Sequence, residues 1–176
     1  MKDILIVIDM QKDFISGALA NKDAEGIVHA LREKIRGFSG RVIFTRDTHG
    51  ENYLSTMEGK NLPVPHCIAG TAGHEIEPAL LLAAKENPNV TVEIMDKPNF
   101  GAGTRLYEQI LVGDAPSKIF FTGTCTDICV VSNALILKSL LPEVPMAVYG
   151  GLCAGLTREK HAAALSVMES CQLEIL

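Results

Sequence analysis

The chain has no apolar run long enough to cross a bilayer, no clustered basic segment and no proline- or serine-rich linker, and each absence narrows what it can be. A membrane-spanning helix needs about 20 consecutive apolar residues, so that class is excluded. The net charge of −5, with Lys and Arg scattered, argues against nucleic acid or an anionic membrane as partner, because neutralising phosphates takes a concentrated positive surface. A small molecule is the expected ligand. With no linker, low-complexity tract or internal repeat, the 176 residues read as a single domain, residues 1–176. No basic leader precedes the first apolar segment, so the cytoplasm is the expected location. The five cysteines (Cys67, Cys125, Cys129, Cys153 and Cys171) are odd in number and include no C-x-x-C pair, which speaks against a disulfide framework and for reduced thiols.

What is present is a strict alternation of two patterns. Residues 4–8, ILIVI, are continuously apolar, as in a strand of a parallel sheet buried on both faces. Strand patterns are read at residues 1–9, 41–46, 90–95, 118–122, 146–149 and 173–176. Helical spacing is read at 21–36, 75–86, 104–111, from 126 or 127 toward 140, and at 158–170. The alternation predicts a three-layer α/β/α fold with a mostly parallel, Rossmann-like six-stranded sheet and right-handed crossovers. Ligands of such sheets bind beyond the carboxyl ends of the strands. At that edge the sequence places Asp9, Asp47, Lys97 and Cys129, one ionisable or nucleophilic residue after each of four strands.

Cys129 lies where a short apolar run, residues 119–121, is broken by Gly123 and a helix begins, with Thr126 or Asp127 as its N-cap. In the first helical turn, unpaired N–H groups and the helix dipole favour a thiolate. Taken alone, the residue fits a small buried hydrophobe equally well. Asp9 can take its proton and Lys97 can balance its charge, or the two can pair with each other. No histidine is placed as the base: His29 and His161 fall in helical patterns and read as structural or exposed. A second constellation is Asp47, His49 and His66. Asp-x-His sets two ligands on one side of an extended segment, and His66 returns on a long loop. Such mixed N/O ligation suits zinc, iron or manganese, although His49 and His66 alone are ordinary loop residues. Phe14 and Phe100 are placed either to flank a flat aromatic ligand or to fill the core. Gly101-Ala102-Gly103 lacks the third glycine of a dinucleotide site and reads as a turn.

Taken together, the segments DMQKDF at residues 9–14, RDTH at 46–49, PHCIAGTAGHEI at 65–76, KPNF at 97–100 and GTCTDICVVSNA at 123–134 resemble the isochorismatase-like cysteine hydrolases and, within them, the nicotinamidases (pyrazinamidases). The resemblance spans nearly the whole chain, in the family's order. It implies an amidohydrolase with Asp9 as general base, Lys97 in support and Cys129 as nucleophile. The oxyanion hole would be formed by the backbone N–H groups of Cys125 and Cys129, shaped by a cis peptide between Thr124 and Cys125. It further implies a divalent metal, zinc before iron or manganese, on Asp47, His49 and His66, with Glu58 as an additional carboxylate. The reaction implied is nicotinamide to nicotinate through an acyl-thioester, in NAD salvage, by a homo-oligomer. One departure stands out: many nicotinamidases carry Trp or Phe three residues before the second metal histidine, whereas this chain has Pro63 and no Trp. The competing expectations are a metal-free relative cleaving another amide, ureide or vinyl ether, and a non-catalytic small-molecule or redox-sensing module using Cys129 as a switch. A flavodoxin-like cofactor binder is disfavoured by the bulky, charged Gln11-Lys12-Asp13 after the first strand.

Overall fold

Six strands form one sheet in the order β3-β2-β1-β4-β5-β6: β1 (Ile4–Ile8), β2 (Gly40–Asp47), β3 (Val90–Lys97), β4 (Ile119–Thr124), β5 (Met146–Ala154) and β6 (Glu174–Ile175). Every pairing is parallel. This computed structural model describes residues 2–112 and 115–176, so Met1, the first residue of the expected first strand, lies outside the described residues. The helices are α1 (Lys12–Ile15), α2 (Lys22–Arg36), α3 (Met57–Asn61), α4 (Pro78–Glu86), α5 (Thr104–Leu111), α6 (Val131–Leu140) and α7 (Arg158–Ser170). None of the described helices is long and apolar enough to cross a membrane.

The apolar run of β1 explains the layering. Its side chains alternate between faces: Ile4, Ile6 and Ile8 pack with residues of α5, α6 and α7, while Leu5 and Val7 pack with residues of α2 and α4. All five are fully buried, each contributing about 1.5–3 kcal/mol by leaving water, so the central strand is fixed from both sides. The long helices start where the sequence supplies caps. Asn21 accepts from the N–H groups of Asp23 and Ala24 at α2, and Thr157 accepts from Lys160 at α7.

Several boundaries differ from the sequence pattern. The helix expected at 75–86 begins only at Pro78, because a residue before proline is steered out of helical conformation and residues Ala72–His74 form a separate 3-10 turn. β5 runs on through Gly150 and Gly151 to Ala154, since β4 continues beside it to Thr124. β3 reaches Lys97, which is therefore its last residue, in register with Asp47 of β2. Between β1 and β4, Gly123 has φ 117°, and a Cβ there would stand 2.0 Å from the Ile8 carbonyl oxygen. Only glycine permits this approach, directly before Asp9 turns off β1 with φ 49°.

Candidate active site

Lys97 sits between two of the residues singled out above: its Nζ is 2.6 Å from Asp9 Oδ2 and 3.7 Å from Cys129 Sγ, and it also lies 3.4 Å from Asp47 Oδ1. Neither Asp9 nor Lys97 has any exposure. Thr45 on the neighbouring strand donates its hydroxyl to Asp9 Oδ1 at 2.6 Å, and Lys97 donates to the Asn99 carbonyl at 3.0 Å. Burial raises the Asp9 carboxyl above the ordinary carboxylate range by more than the adjacent Lys97 lowers it. Burial works against the Lys97 charge, yet Asp9, Cys129 and Asp47 together hold its pKa above the ordinary lysine value. The pair is thus a buried ion pair wedged against a thiol.

The thiol itself corrects two expectations. Neither Thr126 nor Asp127 caps the helix. Residues Thr126–Val130 form a π-helical turn that leads into α6, with Cys125 before it and no side-chain cap. The two candidate caps are engaged elsewhere: the Thr126 hydroxyl meets His161 Nδ1 at 2.8 Å, and Asp127 Oδ1 accepts from the Leu156 N–H at 2.9 Å. His161 is therefore a structural partner of the turn. Nor does the helix start favour a thiolate at rest, because burial first and the Asp9 carboxylate second push the Cys129 thiol well above its usual value. The peptide between Thr124 and Cys125 is cis.

The second constellation closes beside the first. Asp47, His49, Glu58 and His66 each present one ligand atom, all within 4.8 Å of one another. His49 Nε2 is 3.0 Å from Asp47 Oδ2 and 3.6 Å from Glu58 Oε1; His66 Nε2 is 3.6 Å and 3.9 Å from the same atoms. Ligands bound about 2.0–2.2 Å from one zinc-sized ion stand roughly 3–4 Å apart, so the donor set fits a divalent cation. Despite burial, the neighbouring imidazoles of His49 and His66 hold the Asp47 carboxyl well below the usual range, so it offers an anionic oxygen, and His66 Nδ1 is engaged by the Val64 carbonyl at 2.8 Å, turning Nε2 toward the cluster. Two backbone bonds tie the loop bearing His66 to His49: the His49 N–H donates to the Cys67 carbonyl and the Ala69 N–H to the His49 carbonyl. Asp13 Oδ2 accepts from the Cys67 N–H at 2.7 Å.

A cavity of about 500 Å³ opens over both groups. Asp47, Glu58, His66 and Cys129 line it at depth, together with Cys125. Phe14 stands edge-on to His66, ring centroids 5.5 Å apart, and Phe100 also lines the cavity, half exposed. Both lie on the cavity wall, and neither belongs to the sheet core. Pro63 is off this wall and exposed; its neighbour Leu62 lines the cavity instead. All five cysteines are free.

Four residues of the site escaped the sequence reading. Gln11, fully buried, holds Asp47 by its backbone. Thr45 orients Asp9, and the Tyr53 ring packs 4.7 Å from His49 and 5.1 Å from His66. Asn133 joins the Lys97 segment to the Cys129 turn, donating to the carbonyls of Phe100 and Cys129 and accepting from the Ala102 N–H. Only Gln11 carried a signal: an amide within the DMQKDF segment, directly after a strand.

The sequence profile described as isochorismatase domain matches residues 3–176. An uncharacterised isochorismatase family protein, PncA, of Bacillus subtilis (strain 168) is 31% identical over 176 residues, covering 94% of this chain and 93% of that protein. Among solved structures, the pyrazinamidase/nicotinamidase of Streptococcus mutans UA159 superposes with a TM-score of 0.79 at 28% identity, covering 99% of each chain. The pyrazinamidase of Pyrococcus horikoshii, solved in complex with zinc, gives 0.74 at 26% identity, covering 100% of this chain and 99% of that one.

Proposed function

The chain belongs to the isochorismatase family, and from that premise we propose that it is a metal-assisted cysteine amidohydrolase converting nicotinamide to nicotinate and ammonia. The observation that carries the reading is the position of Lys97 Nζ, 2.6 Å from Asp9 and 3.7 Å from Cys129, under a cavity that also presents Asp47, Glu58 and His66. Residues 1–176 act as one hydrolase domain in the cytoplasm.

Cys129 Sγ attacks the carboxamide carbon while Asp9 takes the thiol proton, so the thiolate forms only in the act of attack. The fixed charge of Lys97 balances the negative charge that passes between Asp9 and sulfur. The carbonyl electron pair moves onto oxygen, which the N–H groups of Cys125 and Cys129 receive. As that pair returns, the C–N bond breaks, Asp9 delivers its proton to the nitrogen, and ammonia departs from an acyl-thioester. Water then attacks the thioester carbon, giving a proton to Asp9, and collapse releases the acid and returns the proton to Cys129. A divalent ion, zinc before iron or manganese, would be held by Asp47, His49, Glu58 and His66 and would supply a Lewis-acid anchor for the pyridine nitrogen.

The test is ammonia release from nicotinamide by reduced, metal-supplied protein. Cys129→Ala is expected to abolish release and Asp47→Asn to reduce it; absence of release from the unsubstituted protein would overturn the reading.

A further inference from the structure

The cavity is larger than the substrate just proposed, and its mouth is built of a different material from its floor. The deep residues Asp47, His66 and Cys129 are polar or reactive and at most 5% exposed, whereas Leu62, Phe100 and Leu156 line the same cavity at 38%, 46% and 53% exposure. At roughly 30 Å³ for each heavy atom, the space a water occupies, a nine-atom ring amide fills about half of the cavity of about 500 Å³. Much of the remainder lies against the carbon of Leu62, Phe100, Ile128 and Leu156, with Asn21 and Lys22 also on the wall.

Each of the three mouth residues is held in place by a polar side chain acting on the backbone. The Tyr53 hydroxyl donates to the Leu62 carbonyl at 2.9 Å. Asn133 Nδ2 donates to the Phe100 carbonyl at 3.0 Å. Asp127 Oδ1 accepts from the Leu156 N–H at 2.9 Å, and Asn21 Nδ2 donates to the adjoining Gly155 carbonyl at 2.9 Å. Three large apolar groups from separate segments are thus fixed around one opening, at a cost in exposed carbon that a bound apolar group would recover. A preorganised apolar surface continuous with a reactive floor has the composition of a small-molecule subsite.

We infer that this mouth is a subsite for an apolar substituent, and that the preferred substrates are aromatic carboxamides extended on the ring edge away from both the carboxamide and the ring nitrogen. The inference rests on the amidohydrolase reading for the word substrate, but not for the binding it asserts. Leu62 and Leu156 are its specificity-determining residues. Because each methylene brought out of water is worth about a fourfold gain in binding, a propyl group should raise affinity on the order of tenfold or more.

The experiment compares nicotinamide with homologues carrying methyl, propyl or phenyl on the ring carbon meta to both the nitrogen and the carboxamide-bearing carbon. Two quantities are read: kcat/KM for ammonia release, and the concentration of each amide that half-protects Cys129 from iodoacetamide. Both are expected to improve from hydrogen to methyl to propyl, and the propyl-to-hydrogen ratio is expected to fall at least threefold in Leu156→Ser and in Leu62→Ser, both exposed positions. Protection independent of substituent size, or a ratio unchanged in both variants, would overturn the subsite. If no amide is hydrolysed, the reaction proposed above fails while protection still decides the subsite.

Discussion

Gln11 holds Asp47 at both ends of its peptide: its side-chain carbonyl accepts from the Asp47 N–H at 2.8 Å, and its amide donates to the Asp47 carbonyl at 2.9 Å. The same amide donates to the His74 carbonyl at 2.9 Å. A cluster carboxylate is therefore aimed by an amide on the neighbouring strand end. Gln11→Ala is expected to weaken divalent metal binding about 10- to 100-fold, as loss of an orienting partner typically does. Metal titration of the chelator-treated variant measures this, and unchanged affinity would remove Gln11 from that role.

The Asp9–Lys97 ion pair is expected to behave as a unit. Lys97→Met leaves a buried carboxylate without its counter-charge and should cost about 3–5 kcal/mol in urea unfolding. Adding Asp9→Asn removes that charge and should restore most of the loss, while ammonia release stays absent in both proteins. Equal instability of the single and double variants would mean that the charges are not coupled.

As a base, Asp9 works only when ionised, and its carboxyl is raised above the ordinary 3.8 by burial. Activity is therefore expected to fall as pH drops through that raised value, placing the acid limb of kcat/KM above 3.8. The raised Cys129 thiol gives a companion expectation: without substrate, alkylation at neutral pH should be slower than that of free cysteine and should accelerate with rising pH. A pH-rate profile and an iodoacetamide time course check the two signs.

Gly123→Ala should destabilise the protein on the order of 3 kcal/mol, since the new Cβ would lie 2.0 Å from the Ile8 carbonyl oxygen in a backbone with φ 117°. At Gly151 an added Cβ meets nothing within 4 Å, so alanine there should change stability by only about 0.5 kcal/mol. Thermal melts of the two variants make the comparison.

The layers of this fold were legible because β1 is apolar at every position and the helices are capped by side chains that the sequence displays, such as Asn21 and Thr157. Helix limits at Thr104–Leu111 and Arg158–Ser170 agree with the spacing, since local periodicity decides them. The start of the Cys129 helix was not legible. Thr126 and Asp127 have the chemistry of N-caps, but partners about 30 residues away, His161 and Leu156, claim their side chains and leave a π-helical turn. The ends of β3, β4 and β5 likewise depend on which neighbour is present to pair with. Within the site, residues that carry charge could be read from the strand ends, whereas Thr45 and Asn133 act by hydrogen bonds to groups more than 30 positions away that nothing in their local pattern marks, and Gln11, although an amide directly after a strand, does not display Asp47 as its partner. Pro63 drew attention by its departure, yet the wall residue is Leu62, one step along the chain.

The strand order places β1 between β2 and β4, so the first strand made gains its second neighbour only when the fourth arrives. Asp9 meets Thr45 early, but it waits for β4 before Gly123 and the Cys129 turn arrive beside it. During synthesis the base and the lysine therefore precede their thiol in the growing chain. Pairing across such separations is slow, and a chain interrupted before Ile119 would hold an open apolar edge at its centre. Reactivity in this protein thus comes only after its fourth strand, and chains that end before it are exposed to aggregation before they can act.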